Sequence, residues 1–140
     1  MKTAKQLIDF AARIYELQVK SGRVFVHEHP TTAKSWGEPS VVRLMGLKGV
    51  QKYELDMCQY NLRPTSGDGF HKKPTTLLTN SAIVGEYLAK KCQKDHQHMP
   101  LEGGDRCSRA ATYTPEFCEA IVEAYKLHLD VHRKKTKRSK

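Results

Sequence analysis

The run Val24-Phe25-Val26-His27-Glu28-His29-Pro30 constrains this chain more than any other stretch. Consecutive β-branched and aromatic residues favour a strand over a helix. Pro30 then removes a backbone donor and stops it. Such a strand delivers a carboxylate and two imidazoles to its carboxyl end, where open α/β sheets place ligands. One reading makes Glu28 a catalytic acid or base, its pKa tuned by its neighbours. The plainer reading makes it a structural carboxylate that caps the turn over 31–35.

The flanking segments set the fold class. Thr3 with Gln6 reads as a capping box, and Leu7, Phe10, Ile14 and Leu17 as the apolar stripe of a first helix stopped by Gly22. The first strand is expected over 23–28. Ser35 with Glu38 repeats the capping-box pattern before a short helix, with Pro39 in its first turn and Gly49 after its end. Trp36, Val41, Val42 and Leu44 or Met45 would face inward from it. Tyr53, Leu55 and Met57 alternate with Lys52, Glu54 and Asp56, which predicts a half-buried second strand ending at Cys58. Residues 61–73 read as a loop and 75–79 as a third strand. Ser81 can cap a helix from Ala82 to about Cys92, with Ile83, Val84, Tyr87 and Leu88 on its apolar face. Residues 93–112 are irregular. Thr114, Pro115 and Glu116 open a last helix with Phe117, Cys118, Ile121, Val122 and Tyr125 as its stripe. The expectation is an α/β domain over 1–131: a small mixed sheet of about three strands flanked by helices. A basic disordered tail follows over 132–140.

At 140 residues the chain can enclose one core. No apolar run reaches membrane-spanning length. The first residues lead into an amphipathic stretch, so an intracellular chain without a secretory leader is expected. The four cysteines then read as free thiols or metal ligands, not disulfides. Cys92, His96 and His98, with Cys107 or Cys58 as a fourth ligand, have the right donor types for zinc, although the spacing is not that of a standard finger. The alternative is a helix-ending cysteine followed by a polar loop. Cys58 itself reads as a small strand-end hydrophobe, and Trp36, Met45 and Met57 as core.

Charge suggests a partner. The net charge is +9, and Arg133, Lys134, Lys135, Lys137, Arg138 and Lys140 cluster in the tail. That tail reads as a phosphate-binding or nuclear-import segment, or as merely solubilising. Arg63, His71, Lys72 and Lys73, with Tyr60 and Phe70 nearby, suit nucleic-acid contact or a solvated loop. DNA or RNA is the expected partner.

Several strings occur in a recognisable order: Gly22 to Pro30, Ser35-Trp36, Gly49-Val50, Asp56 to Tyr60, Lys73-Pro74-Thr75, Leu78 to Ser81, Cys92 with His96 and His98, and Tyr113 before Cys118 to Ile121. Together they resemble a domain of copia-type retroelement polyproteins of fungi and dinoflagellates, over Gln18 to Ala124. A more distant similarity is to the carboxyl half of phage-type DNA cytosine methyltransferases. That resemblance implies half of a Rossmann-like fold, with Glu28 contacting a base and Lys72 and Lys73 approaching phosphates. Here position 29 is His where that family has Asn, and Asn61 stands where Gly is usual. The 140 residues hold neither a Gly-rich loop for S-adenosylmethionine nor a Pro-Cys nucleophile. The resemblance therefore implies a mobile-element-derived, nucleic-acid-associated module, inactive alone or completed by a second chain or homodimer. A zinc-stabilised protein-interaction domain is the other expectation. No cofactor besides zinc is expected.

Overall fold

The computed structural model describes residues 2–64, 69–99 and 113–138. Among these residues, four helices are α1 (Lys2–Lys20), α2 (Pro39–Met45), α3 (Ala82–Leu88) and α4 (Pro115–Arg138). Three strands are β1 (Val26–Pro30), β2 (Gln51–Asp56) and β3 (Pro74–Thr79). They form one sheet in the order β1-β3-β2. β3 is antiparallel to both neighbours, so the sheet is antiparallel and not mixed. None of the described helices is long and apolar enough to cross a membrane.

The central strand explains the layering. Leu77 and Leu78 are both fully buried because successive side chains take opposite faces of β3. Leu77 joins Leu55, Val84, Leu88, Phe117 and Ala124 under α3 and α4. Leu78 joins Phe25, Val41, Leu44 and Val50 under α1 and α2. Gly85 has no Cβ because the Tyr53 ring occupies that space, which lets α3 lie close on β2.

Element boundaries follow local hydrogen bonds. β1 starts at Val26 and not at Arg23, because side chains replace the ladder before it. Asn80 Oδ1 accepts from the Phe25 N–H at 2.9 Å, and its Nδ2 donates to the Arg23 carbonyl at 2.8 Å. β2 stops at Asp56, and Met57–Tyr60 form a 3-10 turn instead of completing the strand. α3 stops at Leu88, four residues earlier than expected. The Lys90 carbonyl is taken by the Asp56 N–H at 2.9 Å, which draws the chain off the helix towards β2.

Three sequence expectations fail here. Leu7 and Phe10 are 65% and 59% exposed, and Ile14 and Leu17 face outward with them. The buried face of α1 is the adjacent stripe Ile8, Ala12, Tyr15 and Val19. Tyr15 selects it: its ring stacks on Phe25 at 4.7 Å and its hydroxyl meets His27 Nδ1 at 3.1 Å. On α4 the buried stripe is Phe117, Ala120, Ile121 and Ala124, while Val122 and Tyr125 are exposed. The expected disordered tail is helical through Arg138. Its cations sit in the last turns, where they oppose the negative end of the helix dipole.

Candidate metal centre and the strand-end pocket

Four side chains converge where β2 ends. Cys58 comes from the 3-10 turn, and Cys92, His96 and His98 from the segment after α3; their donor atoms all lie within 4.8 Å of one another. Cys92 Sγ is 3.6 Å from His96 Nε2 and 3.3 Å from His98 Nε2, and the two Nε2 atoms are 3.0 Å apart. This cluster can hold a metal ion. Cys58 supplies the fourth donor of the two that the sequence left open; Cys107 lies outside the described residues.

Surrounding groups orient the donors. Asp95 Oδ1 lies 2.8 Å from His96 Nδ1, so Nδ1 carries the proton and Nε2 keeps its lone pair for a metal. The Lys94 N–H points at Cys92 Sγ at 3.3 Å, a contact that favours the thiolate. Asp56 is buried, and its Oδ2 accepts from the Cys92 N–H at 2.7 Å. The period-two pattern put Asp56 on the solvent side of β2; the alternation breaks at this last residue, which is buried next to buried Leu55. Burial, and then the neighbouring Cys92 thiol, push the Cys58 thiol up. A bound cation reverses that balance by holding both sulfurs as thiolates.

The same segment pins the basic loop. The Phe70 N–H donates to the Gln97 carbonyl at 3.0 Å, and the Met99 N–H donates to the Phe70 carbonyl at 2.8 Å. The Arg63 guanidinium lies over the Phe70 ring at 4.4 Å. Phe70 in turn packs on the His96 ring, with centroids 4.5 Å apart. The Lys72 and Lys73 carbonyls accept from the Cys58 and Met57 N–H groups. Arg63, Lys72 and Lys73 are therefore carried by the walls of the metal cluster. His71 is not a surface group: it is fully buried, and its Nδ1 donates to the Met99 carbonyl at 2.8 Å. The basic turns of α4 lie elsewhere. Glu116 at its start bonds Asn61, while His128 bonds Ser81. Arg133 is 17 residues beyond Glu116, or roughly 25 Å of helix. Loop and tail therefore form two basic regions, not one.

The His-Glu-His run does not converge as a triad. The pleat sends His27 and His29 towards α1 and Trp36, and Glu28 to the α4 side. The His27 and His29 rings stack at 5.0 Å. His29 Nδ1 meets Ser35 Oγ at 3.2 Å, and the Trp36 indole N–H donates to the Pro30 carbonyl at 2.9 Å. Burial, and then His29, lower the His27 pKa to about 4, so the ring is neutral at pH 7. Glu28 accepts from the Tyr113 hydroxyl at 2.6 Å. Burial, and then Glu28, push the Tyr113 pKa up to about 12. An open cleft of about 420 Å³ runs along the unpaired edge of β1, between Tyr15 of α1 and Phe117 and Ile121 of α4. Glu28 and both histidines line it. Tyr15 was not singled out by the sequence reading, and Tyr113 stood only in the strings of the resemblance with no site role, because contacts across so much chain leave no local pattern.

No family model, curated protein or solved structure matches the chain.

Proposed function

We propose that this chain is a zinc-stabilised nucleic-acid-binding module. The observation that carries the reading is the Cys58, Cys92, His96 and His98 cluster, whose segment also holds the basic loop in place. A tetrahedron with zinc–sulfur bonds of about 2.3 Å and zinc–nitrogen bonds of about 2.0–2.1 Å has edges of roughly 3.3–3.8 Å. The donor separations of 3.0–3.6 Å among Cys92, His96 and His98 sit close to that range. Four protein ligands complete such a shell, which suits a structural ion and leaves no open position for a reacting water. The excess of positive charge and the ordered resemblance to retroelement polyproteins support a nucleic-acid partner. Arg63, Lys72 and Lys73 would contact phosphates from the metal side, and Arg133, Lys134, Lys135, Lys137 and Arg138 from the end of α4.

The test is fluorescence anisotropy of zinc-loaded protein with labelled duplexes across a salt series. About three simultaneous phosphate contacts give a log–log slope near −2.7. Replacing Lys72 and Lys73 by Ala should flatten that slope by up to about 1.8. Absence of binding at low salt would reject the nucleic-acid reading. One observation favours a second reading, a protein-interaction domain: Leu7, Phe10, Ile14 and Leu17 form an exposed stripe at helical spacing on α1. Association that ignores salt and is lost in Phe10→Glu would favour it.

A further inference from the structure

The outer side of α4 carries an exposed apolar stripe of its own. Ala124 is the last buried residue of this helix, yet it runs on over 125–138, roughly 21 Å. Val122, Tyr125 and Leu129 are 53%, 46% and 39% exposed. Cys118 before them and His132 after them are exposed as well. The steps from 118 to 122, 125, 129 and 132 alternate four and three, the repeat that lines one seam of a helix pair. α3 covers a different side of α4, where its Tyr87 shares a cleft with Ala120 and Glu123. We infer that this stripe pairs with the same stripe of a second copy of the chain, antiparallel, about a two-fold axis level with Leu127.

Charge selects both the partner and the direction. From Pro115 to Ala124 the helix holds Glu116, Glu119 and Glu123 and no lysine or arginine. From Tyr125 to Arg138 it holds Lys126, Arg133, Lys134, Lys135, Lys137 and Arg138 against Asp130 alone. A helix that is acidic at one end and basic at the other is complementary to a reversed copy of itself. A parallel pair would set both basic ends side by side, with axes about 10 Å apart. In the reversed pair each Lys135 lies eight residues from the axis, on opposite sides of it. That separates the two basic ends by roughly 24 Å, about three screening lengths at physiological salt.

The heptad spacing fixes the register. Tyr125 meets the second copy's Leu129 at the centre, Val122 meets its His132, and Cys118 meets its Thr136. Glu119 and Arg133 are both exposed and flank the stripe on its solvent side, so each Glu119 faces the second copy's Arg133. Lys126 faces its own mate across the axis. Glu123 offsets that repulsion, with its carboxylate 3.4 Å from Lys126 Nζ. The stripe on α1 has similar spacing and gives no such direction. Its flanking charges alternate in sign and are spent within the chain: Lys5 pairs with Asp9 and Glu38, and Glu16 with Lys20 and Arg43.

The pairing needs neither the zinc nor the nucleic-acid reading. Sedimentation equilibrium of the full zinc-loaded chain, freed of nucleic acid, tests it. One helix pair is a small interface, so a reversible monomer–dimer equilibrium in the micromolar range is expected. Leu129→Glu alters an exposed residue twice per dimer and should leave a monomer with unchanged circular dichroism. Glu119→Lys and Arg133→Glu should each weaken the dimer roughly three- to tenfold, and the double variant should recover most of that loss. A monomer at every concentration would overturn the pairing. So would a dimer that survives Leu129→Glu, and its loss in Phe10→Glu would then place the interface on α1. If the double variant recovers nothing, the antiparallel direction is refuted.

Discussion

His27, Glu28 and His29 are neighbours in sequence and part company in space, whereas Cys58, Cys92, His96 and His98 are scattered in sequence and converge. Partners explain the difference. Each strand residue has a partner within the chain: Tyr15 meets His27 Nδ1, Ser35 meets His29, and Tyr113 meets Glu28, while His27 Nε2 is buried without a partner among the described residues. In the cluster, three of the donor atoms have one another as near neighbours at 3.0–3.6 Å. Converging lone pairs repel unless something positive stands between them. One region is held by its own side chains, and the other gathers donors that can hold a cation.

The largest expected effect lies on the metal side. Chelation, or Cys92→Ser, should remove about one equivalent of zinc and lower Tm by roughly 10 °C or more. His29→Ala and Glu28→Gln should leave the zinc content unchanged. Loss of zinc from either strand variant would break the separation between the two regions.

Acid probes the strand side next. The His27 pKa is about 4 in the folded chain, against 6.5 for an ordinary histidine. The unfolded chain therefore takes up this proton first. The stability tied to neutral His27 is present above pH 6.5 and is lost as pH falls towards about 4, by roughly 2–3 kcal/mol. Denaturant unfolding of wild type and His27→Gln between pH 7 and 4 checks this. The wild type should lose the larger amount, because acid stripping of a metal is common to both. Equal losses would remove His27 as the cause.

The smallest effect belongs to the contact between Tyr113 and Glu28. Tyr113 should titrate near 12 by ultraviolet difference spectroscopy, and Glu28→Gln should bring the midpoint part of the way back towards 10. The raised value means that the linked stability is full below pH 10 and fades as pH climbs to about 12. Because Tyr113 is half exposed, Tyr113→Phe should cost no more than about 1 kcal/mol at pH 7. A larger loss would mean that Tyr113 holds the start of α4 in place.

The sequence was most legible where side-chain period decides structure. The alternation from Lys52 to Met57 marked β2, and Thr114-Pro115-Glu116 marked the start of α4. It was least legible where two solutions share one period. Leu7, Phe10, Ile14 and Leu17 fit a helix as well as Ile8, Ala12, Tyr15 and Val19 do, and only contact with Phe25 and His27 decides between them. Three of the four cluster donors were visible because they crowd into one short segment, with Cys58 one of two options for the fourth. The buried acceptor that orients Cys92 was not, because Asp56 breaks the alternation of its own strand only at the last step. The direction of β3 was also hidden, since strand pairing depends on chain path and leaves no mark in β3 itself.

X-ray absorption at the zinc edge on purified full-length protein tests the central claim most directly. Two sulfur scatterers at about 2.3 Å and two imidazole nitrogens at about 2.0–2.1 Å are predicted, with one sulfur replaced by a lighter atom in Cys58→Ser. Bound zinc with no sulfur in its shell, or purified protein that carries no stoichiometric metal, would contradict it.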